Sequence, residues 1–223
     1  MGFPKEIYNY RLTACNFVKT KLPGGSETLP YSGVSDKLEF ERKLMDRELL
    51  DRQLAQLPLY AYFDIDPKQL EFSQRIRYIC KAECPMYGKT WACPPAVGSV
   101  EQCREKCLSY SSCLLIGTVT EIEDISNLEK TLATRPEHEQ LTNEIRQLLR
   151  DQGVEPYILS TEACAVCESC AYLEGKPCRM PERMHPCLES HGINIIPTLE
   201  SVGLEFQYGE NIITWYSLLF YNA

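Results

Sequence analysis

Twelve cysteines are the residues of this chain best suited to chemistry, because most of them stand in two dense groups. In a reducing cytosol, thiols gathered in this way hold metal more often than they form disulfides. The grouping therefore predicts a metal-binding protein, and first of all an iron–sulfur protein. The first group reads Cys80-x-x-x-Cys84-Pro85 and Cys93-Pro94-Pro95, and the second reads Cys164-x-x-Cys167-x-x-Cys170 followed by Cys178 and Cys187.

The second group has the spacing of an iron–sulfur ligand loop. Thiolate sulfur is a soft ligand that both Zn²⁺ and iron–sulfur clusters prefer. Three cysteines at intervals of three residues are the local pattern of bacterial ferredoxins, whereas zinc sites more often use two separated pairs. The triple run thus favours a [4Fe–4S] cluster, with Zn²⁺ as the alternative. Its fourth ligand is either Cys178 or, by cross-ligation, a cysteine that precedes proline in the first group, Cys84 or Cys93.

The first group offers three ligands, Cys80, Cys84 and Cys93, so a cluster bound there would leave one iron open to solvent, substrate or cofactor. An open position is what catalysis at a metal needs. A fourth thiolate from Cys103 or Cys107, which share one face of a predicted helix, would close the centre and favour electron transfer or a structural role. We therefore expect at least one [4Fe–4S] cluster, and two if both groups are loaded.

Two aromatic residues beside Cys93, Tyr87 and Trp91, are candidate cofactor-binding residues. Their rings can shield a cluster from water or form a wall for a flat ligand. The nearby Gly88-Lys89-Thr90 does not complete a phosphate-binding loop, because Glu83 stands where the first glycine of that loop must be. The sequence shows no Ser-His-Asp set, carboxylate pair or dinucleotide fingerprint, so any chemistry must come from the metal.

The remaining cysteines and the histidines have ordinary structural explanations. Cys15 lies in an irregular N-terminal arm, and Cys113 lies in an apolar strand, where a free cysteine is commonly a small core residue. His138 is predicted to be a solvated helix residue. His185 and His191 follow the second group and are predicted to be surface groups or to support the ligands.

Hydrophobic periodicity and turn residues predict the elements that position these cysteines. Helices are expected where apolar residues recur near every 3.6 positions, and strands where short apolar runs are bounded by turn formers. The predicted helices are 36–56, ended by Pro58, 99–109, 126–152 with a possible break at Pro136, and 181–190. The predicted strands are 59–64, an extended run 75–79, 113–119, 157–159, and a hairpin of 204–208 and 212–220.

The order strand, long helix, strand indicates a crossover unit, and so a sheet covered by helices. The predicted fold class is α/β, with α+β as the alternative: a central mixed sheet with helices, cysteine-rich loops that hold metal clusters, and a C-terminal β-hairpin whose apolar last strand lies inside the sheet. Residues 1–58 form an N-terminal arm and amphipathic helix, and residues 59–223 form the cysteine-rich metal-binding domain. The amphipathic helix packs on its own domain or docks to a second copy as a dimer.

Composition excludes several partners. The chain has 23 basic and 31 acidic residues and a formal net charge of −8, which would repel nucleic acid phosphates. No segment has a membrane-spanning length, and the N-terminus lacks the apolar region of a secretory signal. We therefore expect a cytoplasmic protein that binds neither nucleic acid nor membrane. A disulfide-rich fold would need an oxidising compartment, and the sequence shows no signal that would direct the protein to one.

The motifs around both cysteine groups resemble the predicted metal-binding protein family known as domain of unknown function 2284. The resemblance covers the chain from Leu59 onwards and leaves out the arm and helix before Pro58. It implies metal binding, with an iron–sulfur cluster the usual supposition, and Cys187 stands where the family pattern has a small or apolar residue. The matching motifs are Cys80, Cys84-Pro85-x-Tyr87-Gly88, Cys93-Pro94-Pro95, Cys164-x-x-Cys167-x-x-Cys170, Cys178-Arg179-x-Pro181-Glu182-Arg183 and Gly192-Ile193, which give seven ligands: Cys80, Cys84, Cys93, Cys164, Cys167, Cys170 and Cys178.

These observations predict a redox function in oxygen-poor metabolism. The protein would transfer electrons with a redox protein as partner, or carry out cluster-based reductive chemistry, as an iron–sulfur oxidoreductase, on a small molecule or a corrinoid-type partner. The alternative is a zinc-binding structural or metal-delivery module without catalysis, in which the metal supplies folding free energy.

Overall fold

A four-stranded sheet and a smaller two-stranded sheet organise the protein, and a computed structural model describes residues 45–222. The large sheet has the order β1-β3-β6-β4, and β2 pairs with β5 in the small one. The strands are β1 (Ala61–Ile65), β2 (Glu71–Phe72), β3 (Ser112–Glu121), β4 (Tyr157–Leu159), β5 (Ile193–Asn194) and β6 (Ile212–Tyr221). The helices are α1 (Arg47–Leu54), α2 (Gln74–Glu83), α3 (Val100–Leu108), α4 (Leu128–Ala133), α5 (Arg135–Asp151) and α6 (Ile196–Ser201).

Strand β6 lies at the centre of the large sheet. It pairs along its whole length with β3, so that Leu114 lies opposite Leu219, and its last third pairs with β4. Alternate residues of a strand point to opposite faces, and both faces of β6 are buried. Leu219 packs in a core with α1 and α5, whereas Leu218 and Phe220 pack in a second core that contains Cys107 of α3.

The mixed α/β fold is confirmed, and the sheet itself takes the α+β form. Strands β3 and β4 are joined by α4 and α5, as the predicted crossover requires, but β6 lies between them. Because each pairs antiparallel with β6, the two strands run parallel to each other without being neighbours. The sheet expected to be mixed therefore contains only antiparallel pairs among the described strands. The prediction that the last strand lies inside the sheet is confirmed.

Local sequence signals placed several elements correctly. Ser99 caps α3 through a capping box, in which its hydroxyl accepts from the Gln102 N–H and the Gln102 side chain accepts from the Ser99 N–H. The predicted break near Pro136 separates α4 from α5, because proline fits the first turn of a helix. Of the helix predicted over 36–56, the structure describes α1, whose Leu50 and Leu54 are buried in the protein's own core. Dimerisation through this helix stays a prediction.

Three predicted elements are wrong. Residues 75–79 are helical rather than extended, because Ser73 caps α2 with its hydroxyl. Residues 181–190 form two short 3₁₀ turns, Pro181–Arg183 and Glu189–His191. Residues 204–208 are not a strand, so the C-terminal hairpin is absent. Hydroxyl groups of β6, on Thr214 and Tyr216, donate instead to backbone carbonyls of that segment, and β6 pairs with strands distant in sequence.

Gly192 fixes the start of α2 against the turn Glu189–His191. The Ser73 N–H donates to the Gly192 carbonyl at 2.7 Å. A Cβ on Gly192 would lie 3.0 Å from the Ser73 carbonyl oxygen and 3.0 Å from a methyl group of Val100, and the backbone has a φ of +73°. This position therefore requires glycine on both conformational and steric grounds. The glycine of the Gly192-Ile193 motif thereby holds the helix that carries Cys80.

His138 is buried, which corrects the prediction that it is solvated. Its side chain is 1 % exposed and crosses the sheet core between Thr118, 2.9 Å from Nδ1, and Ser217, 2.7 Å from Nε2. Ser217 donates to Ser160, and Ser160 donates to the Glu139 carboxylate at 2.7 Å. Because the Ser217 hydroxyl donates its own proton to Ser160, it accepts from His138, and the ring proton is therefore on Nε2. The imidazole is neutral, and both of its nitrogens are paired. Burial, together with the charge of Arg135, lowers the pKa of His138 to about 3.

The depressed pKa of His138 makes stability fall in acid. Because the folded-state pKa is about 3 and the unfolded value is near 6.5, the unfolded chain takes up the proton first. The contribution of the neutral His138 to the free energy of unfolding is complete above about pH 6.5 and is lost as the pH falls towards 3. We expect His138→Gln to reduce the slope of unfolding free energy against pH by about 1 kcal/mol per pH unit between pH 6 and 5. Urea unfolding at a series of pH values measures this slope, and equal slopes for the two proteins would refute the assignment.

Among the described residues, no helix has the length and apolar character needed to cross a membrane.

Candidate metal centre

The second cysteine group lines a single small cavity. Cys164, Cys167, Cys170 and Cys178 all border it, and so does Trp91 from the loop of the first group. These cysteines belong to the irregular segment after β4, where a 3₁₀ turn, Ala171–Glu174, separates Cys170 from Cys178. The segment thus brings the three cysteines of the triple run and Cys178, one of the alternatives for the fourth ligand, to the lining of one space.

Arg179 ties the two ends of this loop together. Its guanidinium donates to the Ser169 carbonyl at 2.7 Å and to the Glu174 carboxylate at 2.6 Å. Both acceptors lie between Cys167 and Cys178, so the bonds hold the loop closed around the cavity.

Helix α2 and the loop after it carry the first group. Cys80 lies in the last part of α2, and Cys84 is its C-cap, with the Cys84 N–H bonded to the Cys80 carbonyl at 3.2 Å. Residues four apart on a helix lie one above the other, so the two thiols share one side. The chain then turns back through a bond from the Gly88 N–H to the Pro94 carbonyl, 2.8 Å, which places Cys93 in a buried position.

Cys93 is where the two groups meet. Burial raises its pKa, and the negative charges of Cys84, Cys164 and Cys170 raise it further. Thr90, Trp91 and Ala92, which directly precede Cys93, border the cavity of the second group, so the loop that carries Cys93 lies against that group. Burial also raises the pKa of Cys164, to which the charges of Cys178 and Cys170 add. Metal binding must therefore displace protons from these thiols.

Cys187, predicted to be a weak ligand candidate, precedes the turn Glu189–His191 that packs on α2, the helix that carries Cys80. Burial raises the pKa of Cys187 well above its ordinary value, and the charges of Glu189 and Cys80 raise it further. The Ser190 N–H points at the Cys187 sulfur, 3.3 Å away. The turn that carries these residues packs on α2. Such a contact between distant segments leaves no signal in the sequence.

The other cysteines lie elsewhere. Cys103 and Cys107 are both buried on α3 and share one of its faces, as expected. Cys103 accepts from Arg77 at 3.5 Å and lines a separate, larger cavity, and Cys107 is 0 % exposed in the core under β6. Cys113 is buried in β3, as predicted. Cys15 lies outside the described residues.

Of the two candidate cofactor-binding aromatics, Trp91 lies against the thiol cavity. Its indole N–H donates to the Lys176 carbonyl at 2.9 Å, and its ring meets Tyr172 edge-on at 5.0 Å between centroids. These contacts join the loop of the first group to that of the second. Tyr87 is half-buried in the same loop as Trp91. Contact of either ring with a cofactor stays a prediction.

The histidines after the second group are buried, which corrects their assignment to the surface. His185 Nε2 donates to the Asn143 side-chain oxygen at 3.3 Å, and burial lowers the pKa of His185. His191 is 1 % exposed and lies 2.6 Å from the Tyr157 hydroxyl. Both border the larger cavity rather than the thiol cavity.

The donor set suits a thiophilic centre, because four sulfur atoms border one cavity. Within residues 45–222, no three His, Cys, Asp or Glu side chains are arranged to hold a single metal ion. The seven ligands predicted from the sequence therefore stay predictions, supported by their grouping in space.

Comparison with known proteins gives one match. The model of a family described as "Predicted metal-binding protein (DUF2284)" matches residues 64–221, which include both cysteine groups and the strands β3, β4 and β6. No curated protein and no solved structure matches the chain.

Proposed function

Because the chain belongs to this family of predicted metal-binding proteins, we propose that it is an iron–sulfur protein that acts in redox chemistry in the cytoplasm. A [4Fe–4S] cluster is held by Cys164, Cys167, Cys170 and Cys178. One observation carries the proposal: these four thiols border the same cavity. A soft four-thiolate set combined with the triple run of the sequence favours iron–sulfur ligation over zinc.

Of the two schemes for the fourth ligand, the cavity favours Cys178. Cys178 borders the cavity together with the three cysteines of the triple run. Cys93 does not border that cavity and belongs with Cys84 to the first group. Cys93 is thereby left to the first group, together with Cys80 and Cys84. We assign a second cluster to these three thiols, with Cys187, which precedes the turn packed on α2, as the candidate for a further sulfur ligand.

An iron–sulfur cluster supplies one-electron transfer when it is bound. The protein supplies the surroundings: Trp91 borders the thiol cavity and limits the access of water to it, and its ring meets that of Tyr172 edge-on. The loop that carries Cys93 borders the cavity of the second group through Thr90, Trp91 and Ala92, which suits the passage of electrons between the groups. The partner is a redox protein or a small molecule reduced at the centre.

Metal analysis of anaerobically purified full-length protein tests the proposal. We expect a brown protein with equimolar iron and sulfide, about four of each per cluster, and a paramagnetic resonance signal after reduction by dithionite. A colourless protein with stoichiometric zinc and no sulfide would overturn it and support the zinc-stapled module. Resonance spectra of samples with one or two clusters differ, because two neighbouring reduced clusters interact magnetically.

A further inference from the structure

A larger cavity adjoins the thiol cavity. It has a volume of about 830 Å³ and lies between α3, β4 and the cysteine-rich segment. Trp91, Cys178 and Met184 border both spaces, so they form a shared wall. A cavity of this size is large enough for a small organic ligand.

Most of the lining of this cavity is apolar. Three charged residues, Lys106, Arg146 and Glu182, border it, and the other lining residues include the apolar side chains Trp91, Val97, Pro156, Ile158, Met184 and Pro186. A ligand that fits must therefore present an apolar body.

Lys106 is the cation available to a ligand. Arg146, the other cation on the wall, forms an ion pair with Glu155 at 2.6 Å and also donates to the Glu182 carbonyl. Lys106 forms no ion pair within residues 45–222. Its ammonium lies instead over the ring of Tyr157, 3.6 Å from the centroid. A cation–π contact positions the ammonium without neutralising it.

The ring under Lys106 is held rigidly. Tyr157 stacks on Tyr110, with 6.0 Å between centroids and 9° between planes, and its hydroxyl is 2.6 Å from His191 Nε2. Ser190 donates its proton to the Cys187 carbonyl, so it accepts from His191 Nδ1 at 3.1 Å. This direction leaves Nε2 to accept from the Tyr157 hydroxyl. The imidazole is neutral, and Lys106 carries the charge.

We propose that this cavity binds an organic carboxylate, whose apolar, planar body packs between Trp91 and the prolines and whose carboxylate pairs with Lys106. A single unpaired ammonium in an apolar space matches one negative charge and leaves a second charge uncompensated. The ligand then lies against Cys178, and its role as the substrate of the metal centre rests on the proposed function. Binding itself does not depend on which metal the thiols hold.

Titration calorimetry of the anaerobically purified full chain tests the proposal with naphthoate and its neutral analogue naphthamide as probes. We expect naphthoate to bind about tenfold more tightly than naphthamide, as one charge-assisted contact implies. Lys106→Met should bring the ratio of the two Kd values to about one, and Lys106→Arg should preserve it. Trp91→Ala should weaken both probes equally. Lys130→Met, at an exposed lysine on α4 paired with Glu123, is the matched control and should change neither.

Equal affinity of the two probes for the unaltered protein would overturn the proposal. A preference for naphthoate that survives in Lys106→Met would also overturn it, and so would the absence of binding of either probe at millimolar concentration. Metal content measured on the same samples separates this result from the proposed function. A zinc-loaded protein that binds naphthoate through Lys106 refutes the iron–sulfur assignment and keeps the carboxylate site.

Discussion

Cys170→Ser is expected to lose one cluster, about four irons per chain, together with the matching sulfide. Cys170 is the last thiol of the triple run and borders the cavity that the other three thiols share. A hydroxyl is a poor substitute for a soft thiolate, so a cluster left with three sulfur ligands is labile to chelator and oxygen. Iron and sulfide analysis after anaerobic desalting measures the loss.

Cys113→Ala provides the matched control, because this thiol is buried in β3 away from both groups. It should retain the full iron content. The ligand set is wrong if Cys170→Ser keeps all of its iron. A protein that loses this cluster on Cys93→Ser but keeps it on Cys178→Ser would instead establish cross-ligation between the two groups.

Phe220→Ala is expected to cost about 3–5 kcal/mol of unfolding free energy. Phe220 is 0 % exposed, it lies in the central strand β6 between Cys113 of β3 and Tyr157 of β4, and its ring packs in the core under α3. Removal of the ring gives up the free energy gained by its transfer from water to the core, and it leaves a cavity. The neighbouring side chains are held on two paired strands and cannot move to fill that cavity. The loss is large relative to the typical total stability of a domain.

Urea unfolding monitored by circular dichroism, under anaerobic conditions, measures this cost. Phe206→Ala is the matched control, because Phe206 is 52 % exposed and lies outside the helices and strands. It should change the free energy by about 0.5 kcal/mol or less. Similar costs for the two variants would show that β6 is not the packed centre of the sheet.

Elements with local signals could be predicted from the sequence. Helix α3 begins at a capping box that involves only Ser99 and Gln102, and the break before α5 is encoded by Pro136. The interior place of β6 follows from its apolar residues on both faces. The strand order could not be predicted, because the pairing of β6 with β3 and β4 depends on distant segments.

Helix α2 and the buried histidines show why other predictions failed. Residues 75–79 contain β-branched residues, which suit a strand, but the Ser73 cap and the packing of the turn Glu189–His191 on α2 favour a helix. His138 lies in a polar stretch of α5, so the sequence around it is typical of a helix face that is exposed to solvent. Its burial depends on Thr118 and Ser217 from two other elements, which supply both hydrogen bonds.

The candidate site was predictable where ligands are close in sequence. Spacing grouped the three cysteines of the triple run and left Cys178, Cys84 and Cys93 as alternatives for the fourth ligand; in the structure Cys178 lines the same cavity as the triple run. Spacing could not place Trp91 against that cavity, or the turn after Cys187 against α2, because loops of separate elements make these contacts. The unpaired Lys106 over Tyr157 was equally hidden, since α3 and β4 meet only in the folded chain.

The central place of β6 has a consequence for biosynthesis. Along the chain β6 comes after every other strand, yet β3 and β4 are joined in one sheet only through it. On the ribosome, therefore, the sheet cannot close until the final strand has emerged, and this high contact order slows folding. The thiol loop after β4 gains its fixed support at the same moment. The thiol loop should accordingly become able to hold a metal only after β6 has left the ribosome and has paired with both strands.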